Sequence, residues 1–152
     1  MRAPGSRRER GQSLTELAIS FVALLMVLSV GVDAGRAYFS LISLREAAEE
    51  GAIFGSFSPT NSTNIISRVR SSSSAPVNLA DTTNVTVTVS ICNATGSCPT
   101  GSPPTACAGR RLLVQVTHQF RLTMPFLGAI IGTQTIPISV SSTSTILRPP
   151  CP

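Results

Sequence analysis

Hydrophobic and polar positions along this chain follow two different periods, one before residue 56 and another after residue 84. From Leu17 to Val32, sixteen consecutive residues carry no charge, and the apolar stretch reaches back to Leu14 if Glu16 is tolerated. At ~1.5 Å rise per residue such a helix covers roughly 24–28 Å, close to the ~30 Å hydrocarbon thickness of a bilayer. Leu, Ala, Val, Ile and Met dominate the run, with a single glycine at Gly31 and no proline. Leu41, Leu44, Ala48 and Ala52 then recur at helical spacing. That spacing predicts a helix continuing past the membrane to about Gly51 or Gly55.

Gly55–Asn61 (GSFSPTN) reads as a turn, with Thr60 or Asn61 capping a short helix over residues 65–69. Ser71–Ser74 reads as a loop. Beyond it the period falls to two. In Asn84–Cys92, Val85, Val87, Val89 and Ile91 are apolar and alternate with polar residues, the mark of a half-buried strand. Arg111–Arg121 predicts a second strand, with Leu112, Val114, Val116, His118 and Phe120 on one face. Gln134–Leu147 predicts a third, with Ile136, Ile138, Val140 and Ile146 on one face and Pro137 pointing to an edge position or a bulge. The short apolar stretch Met124–Gly132 is read as a helical turn covering the sheet in preference to an exposed contact patch. The expected architecture is α+β: a long N-terminal transmembrane helix whose outer half packs on a small antiparallel sheet of three or four strands. Three regions follow: a basic leader over 1–11, the helix over 12–55 and a β-rich domain over 56–152.

Charge sharpens the membrane reading. The net charge is +5, every basic residue is arginine, and Arg2, Arg7, Arg8 and Arg10 stand against Glu9 ahead of Gly11. The high pI therefore belongs to a basic tail, and no nucleic-acid-binding face is indicated. Basic flanks stay on the cytoplasmic side, so the N-terminus is expected inside and residues 56–152 outside. The many serines and threonines after residue 56 suit a solvated extracytoplasmic domain.

Glu16 is the anomaly. A carboxylate at the centre of a membrane helix costs ~2.5–3.5 kcal/mol on insertion scales, less near the interface, and such groups usually have a partner. A secretory signal peptide would show a shorter apolar core and a cleavage site; Val30–Ala34 makes a poor one, and the helical pattern runs on past it. A plain signal anchor explains the basic flank and leaves Glu16 unexplained. A cut after Gly11 would make Gln12 the new N-terminus and place Glu16 about one helical turn inside. A free α-amino group on a neighbouring subunit could then pair with Glu16 and fix the axial register. This is the logic of type IV prepilins, which require a prepilin peptidase.

The stretch Arg10–Ala18 (RGQSLTELA) resembles the opening of TadE-like proteins, minor pseudopilins of tight-adherence (Flp) pilus systems. Val32–Tyr38 (VDAGRAY) and Leu44–Ala52 (LREAAEEGA) resemble that family's continuation. The likeness covers about residues 8–55. The family often has a proline midway through the apolar run, where this chain reads Ser20-Phe21-Val22. It tends to show Arg-Glu before the glycine, where this chain has Glu49-Glu50, so any role of that arginine does not carry over. The resemblance implies a non-enzymatic pilus assembly component, processed by a prepilin peptidase, assembled with other pilins or pseudopilins through its helix, and using no cofactor. The competing expectation is an uncut, single-pass anchored binding domain.

Asp33 and Arg36, three apart, are placed to pair on one helical face just outside the membrane, most simply as a solvated ion pair. Cys92, Cys98, Cys107 and Cys151 all follow the membrane segment, in a compartment where pairing is the default. Cys92 with Cys107 and Cys98 with Cys151 is the preferred pairing, only slightly ahead of Cys92 with Cys98. No CxxC occurs, which argues against zinc. His118 is the only histidine and lies on an apolar strand face, where a packed residue is the ordinary reading. No nucleophile triad or phosphate-binding glycine loop can be assembled, so neither an enzyme nor a small-molecule substrate is indicated.

Overall fold

The computed structural model describes residues 6–99, 105–124, 128–129 and 131–151, with side chains from residue 11 onward. Two helices precede three strands: α1 (Ser6–Phe57), α2 (Ser62–Ser71), β1 (Val85–Cys92), β2 (Arg111–Arg121) and β3 (Thr135–Thr145). The strands form one antiparallel sheet in the order β1-β2-β3. The C-terminal half of α1 lies across β2 and β3, while α2 packs against both α1 and β1. This is the expected α+β arrangement, with three strands.

The helix buries a seam made mostly of small residues: Ser40, Ser43, Leu44, Ala47, Ala48, Ala52 and Ser56. Leu41, expected on that seam, is 42% exposed. With about 3.6 residues per turn, Leu41 sits roughly 60° to one side of Leu44. Ser40 and Ala47 sit to its other side, and that is the side buried at this level. Small side chains let the neighbouring elements approach closely. A Cβ at Gly51 would run into Val69 Cγ2 of α2, and one at Gly55 into Leu112 Cδ2 of β2. Asn61 caps α2, accepting the Asn64 N–H at 3.1 Å through its side chain.

The inward face of β2 carries Leu112, Val114, Val116 and Phe120, and that of β1 carries Val85 and Val87. β3 is an edge strand, and its Pro137 lies opposite Gln119. It ends at Thr145, short of the expected Leu147. Ile146 is still fully buried, because the chain turns there to bond Arg110 and Gly109. Val77 and Leu79 enter the core from the loop between α2 and β1, where sequence periodicity gives no signal. Arg70 fixes that loop by donating to the Leu79 carbonyl at 3.1 Å.

The disulfides are Cys92–Cys98 and Cys107–Cys151, so the preferred Cys92–Cys107 pairing is corrected. A tight turn reverses the chain straight after β1: the Gly96 N–H reaches the Asn93 carbonyl at 2.9 Å, and Gly96 adopts φ +91°. That turn brings Cys98 back beside Cys92. Cys107 is instead held against the C-terminal segment, where the Ala108 N–H donates to the Pro149 carbonyl at 2.7 Å. Of the apolar stretch Met124–Gly132, residues 125–127 and 130 lie outside the described residues; Ile131 is half exposed.

Candidate functional site

The first half of α1 is a bare stem. Leu14, Leu17, Leu24, Val27 and Leu28 are each more than 60% exposed, and none of the chain's other described elements covers them. An apolar surface exposed around the whole helix is stable only in lipid or among other helices. This single helix is long and apolar enough to cross a membrane.

Three of the sequence-predicted residues lie together at the head of the stem. Gly11 is open, with nothing within 4 Å of the position of an added Cβ. The Gln12 amide donates to Glu16 Oε1 at 3.3 Å across one helical turn. The Thr15 hydroxyl donates to the Gly11 carbonyl at 3.0 Å. Glu16 is exposed, and the ion pairs among the described residues are Asp33–Arg36, Arg45–Glu49 and Glu50–Arg68, none involving it. Its carboxylate thus presents a negative charge outward near the entrance of an apolar helix.

The other end of the stem is fastened to the sheet domain. Asp33, the first residue past the apolar run, is only 4% exposed. One carboxylate oxygen accepts from Arg36 at 3.0 Å; the other accepts the backbone N–H groups of Thr123 and Met124, each at 3.0 Å. Arg36 also donates to the Thr123 hydroxyl and lies over the Phe120 ring, 5.3 Å from its centroid. Burial pushes the Asp33 carboxyl up, but donation from Met124, Thr123 and Arg36 outweighs it, and the group sits below its ordinary value of 3.8. The solvated pair expected on the helix surface is therefore half of a clamp built on a buried carboxylate. Its other half consists of backbone N–H groups, which every non-proline residue carries, so no side-chain pattern marks it in the sequence.

Beside the clamp, a cleft of about 540 Å³ opens between α1 and the end of β2, lined among others by Arg36, Phe39, Asn84, His118, Phe120 and Arg121. His118 is partly buried, with its ring edge-on to Phe120 at 6.5 Å, and its Nδ1 is buried without a partner among the described residues. Burial lowers its pKa from the ordinary 6.5, against the opposing pull of the Asn84 carbonyl and the Asp81 charge. The four cysteines lie away from both sites, in their two bridges. Among the described residues no group of three or more His, Cys, Asp or Glu side chains is placed to hold a metal ion.

Residues 11–52 match a family model described as TadE-like protein. The match opens at Gly11 and covers the stem, the clamp aspartate and most of the buried helical seam, leaving α2 and the sheet outside it. No curated protein and no solved structure matches the chain.

Proposed function

We propose, from the premise that residues 11–52 are TadE-like, that this protein is a minor pseudopilin of a tight-adherence pilus system. At its broadest, a TadE-like segment on an apolar N-terminal helix fits a component of such a pilus, a structural role with no chemistry of its own. In the finer reading the helix inserts with the arginine-rich end in the cytoplasm, and a prepilin peptidase cuts after Gly11. The stem from Gln12 then joins those of other pilins or pseudopilins, and the sheet domain faces outward.

The observation that carries this reading is the exposed Glu16 carboxylate, one turn from Gln12 on the half of α1 that nothing among the described residues covers. An unpaired carboxylate in lipid is unfavourable, and an α-amino group freed at Gln12 of a neighbouring stem supplies the opposite charge. Gly11 has no described side chain within 4 Å of its Cβ position, which supports peptidase access.

Mass spectrometry of the mature N-terminus, in cells with and without the pilus system's prepilin peptidase, tests the proposal. Gln12 first, only when the peptidase is present, is the expected result. Met1 retained on a fully functional protein would make the chain an uncut anchored domain instead.

A further inference from the structure

The apolar run ends at Val32, so Arg36 stands roughly 6 Å further along the helix, at the depth of lipid headgroups. The Asp33 clamp brings the end of β2 down to the same level by bonding Thr123 and Met124. As a result Arg121, eighty-five positions away in sequence, joins Arg36 in lining two adjoining clefts, of about 540 and 400 Å³. Arg36 is engaged by Asp33, which balances its charge. Arg121 is exposed and takes part in none of the ion pairs among the described residues, so its guanidinium is available to a ligand, while the Asp81 carboxylate behind the lining is occupied by Asn84.

Polar lining is supplied by Asn84 and Gln119, and an apolar wall by Phe39 and Phe120. Tyr38 and Phe39 are both more than 60% exposed at this depth, where the amphipathic ring of a tyrosine favours a membrane surface. Guanidinium groups recognise phosphate oxygens by paired N–H donation, and an aromatic wall suits the glycerol and upper acyl region attached to that phosphate.

We propose that this cleft binds the phosphodiester headgroup of an anionic phospholipid from the outer leaflet, with Arg121 as its principal charge and Arg36 as a second donor. A seat of this kind would hold the sheet domain at a fixed height and rotation over the bilayer. The inference rests on the stem being membrane-anchored and is independent of cleavage at Gly11.

The chain contains no tryptophan, so Phe39→Trp, an aromatic replacement in the cleft wall, makes a single tryptophan a local fluorescent probe of the cleft. Full-length protein is reconstituted into phosphatidylcholine vesicles containing about a third phosphatidylglycerol, with a nitroxide placed near the headgroup of one lipid or the other. Labelled phosphatidylglycerol is expected to quench Phe39→Trp about twofold more than labelled phosphatidylcholine, a difference that vanishes when Arg121→Gln is added and persists when Arg148→Gln is added. Arg121→Gln leaves the Asp33 clamp in place, and circular dichroism checks that the variant is folded.

Equal quenching by the two lipids, or a preference unchanged in Arg121→Gln, would overturn the proposal. So would saturable binding of inorganic phosphate by a protein that shows no lipid preference, which would reassign the cleft to a soluble anion. Extraction by alkaline carbonate is measured on the same vesicles. A protein that washes out refutes the anchor and the lipid site together, whereas one that stays and shows no preference refutes the lipid site alone.

Discussion

The carboxylate of Asp33 accepts the backbone N–H of Met124 at 3.0 Å, joining the base of the stem to the end of β2 across ninety-one positions of sequence. With the Thr123 N–H on the same oxygen and Arg36 on the other, one side chain closes a helix, a strand end and a loop onto each other. Because Asp33 immediately follows the apolar run, the clamp also fixes where the folded domain begins relative to the stem.

Asp33→Ala should leave two backbone donors without their acceptor. A fully buried unsatisfied group costs about 1–3 kcal/mol; with Thr123 exposed and Met124 half-buried, water satisfies part of the loss, so about 1–3 kcal/mol in all is expected, and less for Asp33→Asn, which retains an acceptor oxygen. Native-state hydrogen exchange should show the Thr123 and Met124 amides losing protection before the sheet does.

The pH dependence has a definite sign. The folded-state pKa of Asp33 lies below its unfolded value of 3.8, so the unfolded chain binds more protons through that interval. The clamp's contribution is complete above about pH 5 and is lost as pH falls through the unfolded and then the lowered folded value. Unfolding followed from about pH 5 down to about pH 2, across the carboxylate range, should bring wild type and Asp33→Asn together at the acid end.

Gly55 tests the close approach of α1 and β2. In an exposed helix Gly→Ala would gain about 1 kcal/mol in propensity. At Gly55 the new methyl meets Leu112, with Ile65 Cδ1 at 3.1 Å, and overpacking of this kind costs about 1–3 kcal/mol. Gly55→Ala should therefore be neutral to destabilising in thermal unfolding. Gly35→Ala, with open space at its Cβ position, should be stabilising if anything.

The two disulfides should contribute unequally. Cys107–Cys151 spans 44 positions and Cys92–Cys98 spans 6. Loop-closure entropy then assigns about 4 kcal/mol to the first and about 2 kcal/mol to the second. Denaturant unfolding of the paired serine variants, Cys107→Ser with Cys151→Ser against Cys92→Ser with Cys98→Ser, reads the difference directly.

What could be read in the sequence follows from how locally each feature is encoded. The stem, the alternation in β1 and β2 and the Asn61 cap depend on neighbours within a turn or two, and all are visible as period or punctuation. The burial of Leu79 and the pairing of Cys107 with Cys151 depend on how a loop and a tail return to the core, which no local period records. The clamp is half legible. Asp33 and Arg36 announce themselves by spacing, but their partners are main-chain groups brought near by the fold. Arg121 carried no signal at all, because a charged residue ending a strand is ordinary until the clamp sets it beside Arg36.

Glu16 bears the most direct test of assembly. Removing a carboxylate from an apolar helix lowers its insertion cost, so Glu16→Leu should reach the membrane at least as well as wild type. Its N-terminus should still begin at Gln12, because the Gly11 peptide bond is untouched. Under the proposed function, what the variant would lose is the pairing between stems. Breaking a water-excluded ion pair by removing one partner costs about 3–5 kcal/mol, so assembly should fall by more than about tenfold. Glu16→Gln separates charge from shape, since it keeps a side chain of the same length that can still meet the Gln12 amide. Pilus shearing yields and crosslinking between stems should fall nearly as far for Glu16→Gln as for Glu16→Leu. Wild-type piliation in the glutamine variant would show that the charge has no part in joining the stems.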